Sequence, residues 1–197
     1  MAIGWRDAKR FPPEPTLPRK WKHDGRIGTN IMQISQTMNA RLNEQISAEF
    51  TAAHKYLAMA CAFEDMGLRI LGRRFFQQYD EERGQAMKIV RYLHEVGGKV
   101  VVNAVDQPRS DYKSVIDIVQ AALDSEIDIT KKIHAIVALA DSEKDYASRS
   151  FLEWFVDEQV EEISTMTDLL NLVKLAGPNL LQVEAYLRHQ MIESDKQ

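Results

Sequence analysis

Glu49, Glu82, Glu126 and Glu162 each interrupt an otherwise apolar stripe, and a carboxylate in that setting must either hold a proton or face a cation. Read at the 3.5- to 3.6-residue spacing of helices, the first stripe is Leu42, Ile46, Glu49, Ala53, Tyr56, Ala60 and Phe63. The second is Leu71, Phe75, Gln78, Glu82, Gln85, Ile89, Tyr92 and Val96. The third is Ile116, Val119, Leu123, Glu126, Thr130, Ile133 and Val137, and the fourth Leu152, Phe155, Gln159, Glu162, Met166, Leu169 and Val173. None of the four contains lysine or arginine. An uncompensated buried carboxylate costs several kcal/mol, so four would consume much of the ~5 to 15 kcal/mol that stabilises a domain. One such acid alone, Glu126 for example, reads more readily as part of a solvated helix face, and paired protonated acids are another solution. Four carboxylates at matching depth favour metal cations between the helices.

The elements that must carry these residues are long helices. One runs from about Ile34 to Met66 and a second from about Leu68 to Val96, with Gly67 and Gly97–Gly98 as C-terminal caps. The short link makes them antiparallel neighbours. The β-flavoured, proline-containing stretch KVVVNAVDQPRSDY, residues 99–112, is long enough to return the chain along the bundle. A third helix is predicted from about Tyr112 to Ala140 and a fourth from about Ser142 to Leu175, ended by Gly177 and Pro178. NLLQVEAYLRHQM, from Asn179 to Met191, can form a short fifth. The fold class is therefore all-α: a four-helix bundle with one long crossover and a short C-terminal helix.

Residues 1–30 have a different texture. They hold four of the six prolines and seven basic against three acidic residues, a balance of +4 that leaves −8 on residues 31–197. The prolines forbid a continuous helix and favour a mobile, basic extension on an acidic bundle. With Trp5, Phe11 and Trp21 interleaved, it could contact its own assembly or a protein partner; +4 is a modest charge for nucleic acid. No stretch approaches the ~18 apolar residues of a membrane span, and no secretory signal is evident, so a soluble cytoplasmic protein is expected. Cys61 is the sole cysteine, which excludes an intrachain disulfide or a thiolate metal cluster.

In ferritin-like di-iron proteins two helices each supply one Glu and the other two each supply Glu-x-x-His. Here the single acids are Glu49 and Glu126, while the other two helices offer Glu82-x-x-Gln85 and Gln159-x-x-Glu162; the chain contains no Glu-x-x-His. That absence argues against bacterioferritin, rubrerythrin and the oxygenase-type di-iron enzymes. The segments LNEQISAEFTAAHKYL (42–57), DEERGQAMK (80–88), SEIDITKKI (125–133) and FLEWFVDEQVEE (151–162) instead resemble the haem-free bacterial ferritins. The likeness extends from about Ile34 to the C-terminus.

The resemblance implies a ferritin-like bundle with a di-iron ferroxidase centre cycling between Fe2+ and Fe3+. In it Glu49 binds the first iron, Glu82 bridges, Glu126 binds the second, Gln159 stands near the second iron, and Tyr56 lies beside the pair. It also assigns Glu81, Glu158, Glu161 and Glu162 to an additional iron site. Gln85 is the departure, because active centres of that family carry histidine there as a nitrogen ligand. An amide offers a neutral carbonyl oxygen or a hydrogen bond to bound water, so weaker Fe(II) binding and slower oxidation are expected. Haem is not expected, since Arg83 occupies the position of the bacterioferritin haem methionine.

The functional expectation is iron storage and detoxification, with Fe(II) oxidised at the centre and held as mineral in a homo-oligomeric cage. The Asn179–Met191 segment resembles the helix lining the four-fold axes of 24-subunit shells. The alternatives are a mineral-nucleating or structural subunit with a weak centre, and a ferritin-like protein whose basic tail docks nucleic acid or a shell partner. His54, His94 and His134 fall off the stripes and are expected on the surface.

Overall fold

The computed structural model describes residues 34–194, with side chains to Met191. The segment 1–30, and every expectation placed on it, lies outside the described residues.

Five helices form where the chain can satisfy their ends. Helix α1, Gln36–Asp65, starts at Ser35, whose hydroxyl accepts from the Met38 amide at 2.9 Å, and stops at Gly67, where φ is +76°. Helix α2, Arg69–Glu95, stops before Gly97 in the same left-handed conformation. Ser114 caps α3, Val115–Glu143, by accepting from the Asp117 amide at 3.1 Å. Asp145 caps α4, Tyr146–Ala176, by accepting from the Ser148 amide at 3.0 Å and its hydroxyl at 2.6 Å. The α3–α4 turn therefore lies a few residues later than the expected break between Ala140 and Ser142. Lys144 makes the reversal in the left-handed region, φ +55°, with Asp145 capping immediately after it.

α1 packs along α2 and α3 along α4, and the 96–114 segment crosses between the pairs. Extended chain of that length covers the ~45 Å of a 30-residue helix. It makes no strand, contrary to its β-flavoured composition, because its backbone bonds go to side chains instead. Asn39 accepts from the Lys99 amide at 2.7 Å, and Asn43 accepts from the Val101 amide at 2.6 Å while donating to the Lys99 carbonyl at 2.8 Å. Two asparagines one turn apart on α1 thus hold the crossover down.

The stripes of α1, α2 and α4 are buried throughout, but α3 is rotated from its expected stripe. Ile116 is 41% exposed, and the buried face is Val115, Ile118, Val119, Ala122, Glu126, Ile129, Ile133, Ile136 and Ala140. Two apolar blocks result. One gathers Phe63, Phe75, Ile118, Met166 and Val173; the other gathers Leu42, Ile46, Ile89, Ile133, Leu152 and Phe155. On α2, α3 and α4 the glutamate of the stripe falls between the helix's contribution to one block and its contribution to the other; on α1 Glu49 lies near the changeover, with Ala52 the last buried residue of one block and Tyr56 the first of the other. Among the described residues no helix is long and apolar enough to cross a membrane.

Helix α5, Leu180–Ser194, docks by Val183 and Leu187 and does a second job. The start of α2 has no side-chain cap of its own; the Glu184 carboxylate accepts from the Ile70 and Leu71 amides at 3.0 and 2.9 Å. A carboxylate on the positive end of a helix stabilises it in proportion to its charge. Glu184→Ala should destabilise the fold by about 1 to 2 kcal/mol, and amide exchange should accelerate selectively at Ile70 and Leu71.

Candidate metal centre

Mid-bundle, all four long helices deliver polar side chains into one buried region. Glu49, Glu82 and Glu126 have no exposed surface; Gln85, Gln159 and Glu162 are buried to within a few per cent. Oxygens of Glu82, Glu126 and Glu162 lie within 4.8 Å of one another, an arrangement able to hold a metal ion. Glu49 stands just outside that tightest group, yet its charge raises the proton affinity of Glu82.

The hydrogen bonds divide the acids into two kinds. Glu162 is clamped: Gln85 Nε2 donates to its Oε1 at 2.5 Å, and Gln159 Nε2 donates to its Oε2. Gln159 is itself held by Thr130, whose hydroxyl donates to Gln159 Oε1 at 2.8 Å. The other three are under-satisfied. Glu49 receives Gln45 Nε2 on one oxygen at 2.9 Å, Glu126 receives the Tyr56 hydroxyl on one oxygen, and Glu82 receives nothing. Among the described residues, the buried side-chain oxygens without a partner are Glu49 Oε2, both oxygens of Glu82, Gln85 Oε1 and Glu126 Oε2. Every one belongs to this cluster. Unpartnered acceptors converging from separate helices are what a cation site offers, because each would otherwise cost about 1 to 3 kcal/mol or more.

The electrostatics follow from this crowding. Burial first, then the charge of Glu126, pushes Glu162 up to about 9. Burial, opposed by the Gln45 hydrogen bond and aided by Glu126, pushes Glu49 up to about 8. Burial and the charges of Glu126 and Glu49 hold Glu82 well above the usual carboxylate range. Glu126 is raised by burial despite the Tyr56 hydrogen bond and Lys55 nearby. Burial and the neighbouring charges of Glu126 and Glu82 keep Tyr56 protonated and donating. Its ring packs on Phe75 with centroids 5.5 Å apart, at the edge of one apolar block.

The structure thus brings together Glu49, Tyr56, Glu82, Gln85, Glu126, Gln159 and Glu162. It does not bury the remaining expected acids with them. Glu81 and Glu161 are exposed and Glu158 is half-buried. The Glu158 carboxyl is raised by burial and by Glu161, and opposed by Lys88, whose ammonium sits 3.3 Å from the Trp154 ring centroid. Glu162 is shared ground, adjoining Glu82 and Glu126 although its family resemblance places it with the outer acids. His54, His94 and His134 are exposed, as is Cys61. Two contributors escaped the sequence reading. Gln45 was detectable, standing one turn before Glu49 on the same helix face; Lys55, whose Nζ donates to Ser125 at 3.2 Å, reaches the region from outside the stripes.

Residues 39–176 match the Ferritin-like domain family. The chain is similar to Ferritin BfrB of Mycolicibacterium smegmatis, 33% identical over 163 residues, covering 83% of this chain and 90% of that one. It is also similar to a bacterial non-heme ferritin of Staphylococcus saprophyticus, 38% identical over 133 residues, covering 66% and 80%. Among solved structures, an open-pore ferritin from Archaeoglobus fulgidus superposes with TM-score 0.76 at 37% identity, covering 78% of this chain and 96% of that one.

The raised carboxyls set the sign of a pH test. Unfolded carboxylates ionise near 4.5, whereas Glu49 keeps its proton to about 8 and Glu162 to about 9, so the metal-free fold binds more protons across that window. The stability they contribute is complete below about 4.5 and lost as pH rises through about 8 to 9. Surface pairs such as Asp117 with Arg109 act in the opposite sense and cancel in a difference measurement. Relative to the unsubstituted protein, metal-free Glu49→Gln should therefore gain Tm as pH is raised from about 5 to about 9; a pH-independent difference would contradict the assignment.

Proposed function

The chain belongs to the ferritin family, and from that premise we propose that it stores iron, taking up Fe(II) at the buried carboxylate cluster, oxidising it there and retaining Fe(III) as mineral. The observation that carries this reading is the set of unpartnered oxygens on Glu49, Glu82 and Glu126. Glu82, with neither oxygen engaged and neighbours on both sides, is suited to lie between two ions, with Glu49 toward one and Glu126 toward the other.

The chain's own groups then have defined work. Four carboxylates balance the charge of two divalent ions, and their anionic field favours the trivalent state that follows. Each Fe(II) gives up one electron. The oxidant is dioxygen or peroxide: dioxygen takes the two electrons with two protons to become hydrogen peroxide, and hydrogen peroxide takes them with two protons to become two waters. Holding both ions in one site makes the two transfers effectively intramolecular. The protons that Glu49 and Glu162 retain to about 8 and about 9 must leave as metal binds, so uptake is coupled to proton release. Tyr56, donating to Glu126, holds that carboxylate in place and stands close enough to relay an electron. Glu81, Glu158 and Glu161 offer an outer carboxylate surface for an additional ion.

Storage needs an enclosed volume, and we read the assembly as a homo-oligomeric cage of 24 copies, the form the fifth helix resembles. Apolar side chains left exposed on the isolated chain support contacts between copies: Tyr146 (77%), Val160 (68%), Leu175 (87%) and Leu181 (80%). The Gln85 to Glu162 hydrogen bond favours a second reading, a mineral-nucleating subunit whose centre oxidises iron poorly.

Stopped-flow absorbance after mixing the anaerobic Fe(II)-loaded protein with oxygen separates the two. We expect oxidation above the protein-free rate, slowed by more than about tenfold in Glu82→Ala and accelerated in Gln85→His. A wild-type rate equal to the protein-free rate would leave the nucleating reading, and a mass corresponding only to monomer or dimer would remove storage altogether.

A further inference from the structure

The cluster contains no nitrogen ligand. Its donors are the carboxylates of Glu49, Glu82, Glu126 and Glu162 and the amide oxygens of Gln85 and Gln159, all oxygen. His54, His94, His134 and His189 are exposed, and so is Cys61, so among the described residues no imidazole or thiol is buried with the cluster. The Gln85 amide is oriented by its neighbour. Its Nε2 donates to Glu162 Oε1 at 2.5 Å, which turns the NH2 end of the amide toward that carboxyl. That orientation leaves Gln85 Oε1 buried and unpartnered, one more oxygen beside those of Glu49, Glu82 and Glu126.

We propose that Gln85 sets the metal selectivity of this centre, making it an all-oxygen site that favours the hard first-row divalent ion Mn2+ and forgoes the advantage that imidazole gives to Zn2+ and, to a lesser degree, Fe2+. Imidazole suits zinc, copper, iron and nickel, whereas carboxylate and carbonyl donors suit magnesium, calcium and manganese. Within the second group the site itself discriminates. Mg2+ sheds its waters reluctantly and keeps several, for which a cluster whose Glu49, Glu82 and Glu126 have no exposed surface is poorly suited. Ca2+ needs six to eight oxygens per ion, more than four carboxylates and two amides supply to a pair.

Gln85 acts through two atoms at once. Its Nε2 fixes one oxygen of Glu162 while Gln159 fixes the other, so the carboxylate is held at a set distance from Glu82 and Glu126. Its Oε1 supplies a neutral donor that adds no charge, leaving four carboxylates to balance two divalent ions. A histidine in its place would provide a nitrogen donor and release one arm of the Glu162 clamp.

This inference rests on the reading of the cluster as a metal centre, and the test separates the two. The full-length assembled protein is titrated anaerobically with Mn2+, free ion being followed by EPR, and then with Zn2+ in competition. Wild type, Gln85→His and Glu82→Ala are compared, with circular dichroism confirming that each is folded. We expect Gln85→His to tighten Zn2+ binding at least about tenfold while changing Mn2+ binding by less than about threefold. Pulsed EPR of the Mn2+ protein should show directly coordinated imidazole nitrogen only in Gln85→His. Equal shifts for Mn2+ and Zn2+, or a coordinated imidazole in the wild type, would overturn the selectivity assignment and leave the metal centre standing. Mn2+ and Zn2+ binding indistinguishable from Glu82→Ala would overturn both.

Discussion

The structure is organised around the cost of keeping four carboxylates out of water. Glu82, Glu126 and Glu162 fall between two apolar blocks, and Glu49 lies near the same changeover, at the level where a bundle of this length would ordinarily continue its core. Glu49, Glu82 and Glu126 have no exposed surface, and four of their six oxygens lack a hydrogen-bond partner. Continuous leucine and isoleucine would be more stable here, since burying charges rarely repays their desolvation. A chain that keeps them is stabilised by whatever neutralises them: protons in the metal-free state, cations otherwise. Much else serves to hold this arrangement rigid. The aromatic wall of Tyr56 and Phe75 closes one side, Thr130 fixes Gln159, and Glu184 reaches from α5 to anchor the start of the helix that carries Glu82 and Gln85.

The two glutamines give the cluster an internal division of labour. Glu162 is satisfied by amide donors on both oxygens, while Glu82 is satisfied by none. One carboxylate is thereby positioned and another left available, although both stand within 4.8 Å of Glu126. Gln85 belongs to both halves of that division, donating with one end and offering an unpartnered oxygen with the other. The substitution that separates this chain from the histidine-bearing pattern it resembles is therefore integrated into the hydrogen bonding of the site.

Much of this was legible in the sequence because helices expose their packing as periodicity. The stripes of α1, α2 and α4 were read residue by residue, and Gly67 and Gly97 marked helix ends by a backbone conformation that glycine adopts without strain. α3 misled at Ile116, where Val115 and Ile116 compete for one inward position and only the neighbouring helices decide between them. The α3–α4 turn was displaced because a lysine, Lys144, rather than a glycine takes the left-handed position. Hydrogen bonds between distant segments left no local signature. Asn39 and Asn43 holding the crossover, and Glu184 capping α2, depend on chain brought together only by folding. Within the site, residue types on the stripes were visible, but which oxygen would be satisfied and which left bare was a matter of three-dimensional arrangement.

The central claim, that the bare oxygens of the cluster exist to hold a pair of metal ions, is tested most directly by anomalous diffraction from crystals of the full chain soaked with Mn2+ or, anaerobically, with Fe2+. The account requires two anomalous peaks in the buried cluster, on either side of Glu82, with Glu49 and Glu126 as the outer ligands. Saturating metal that appears only at surface acids such as Glu81 and Glu161, with no anomalous signal among Glu49, Glu82, Glu126 and Glu162, would contradict it.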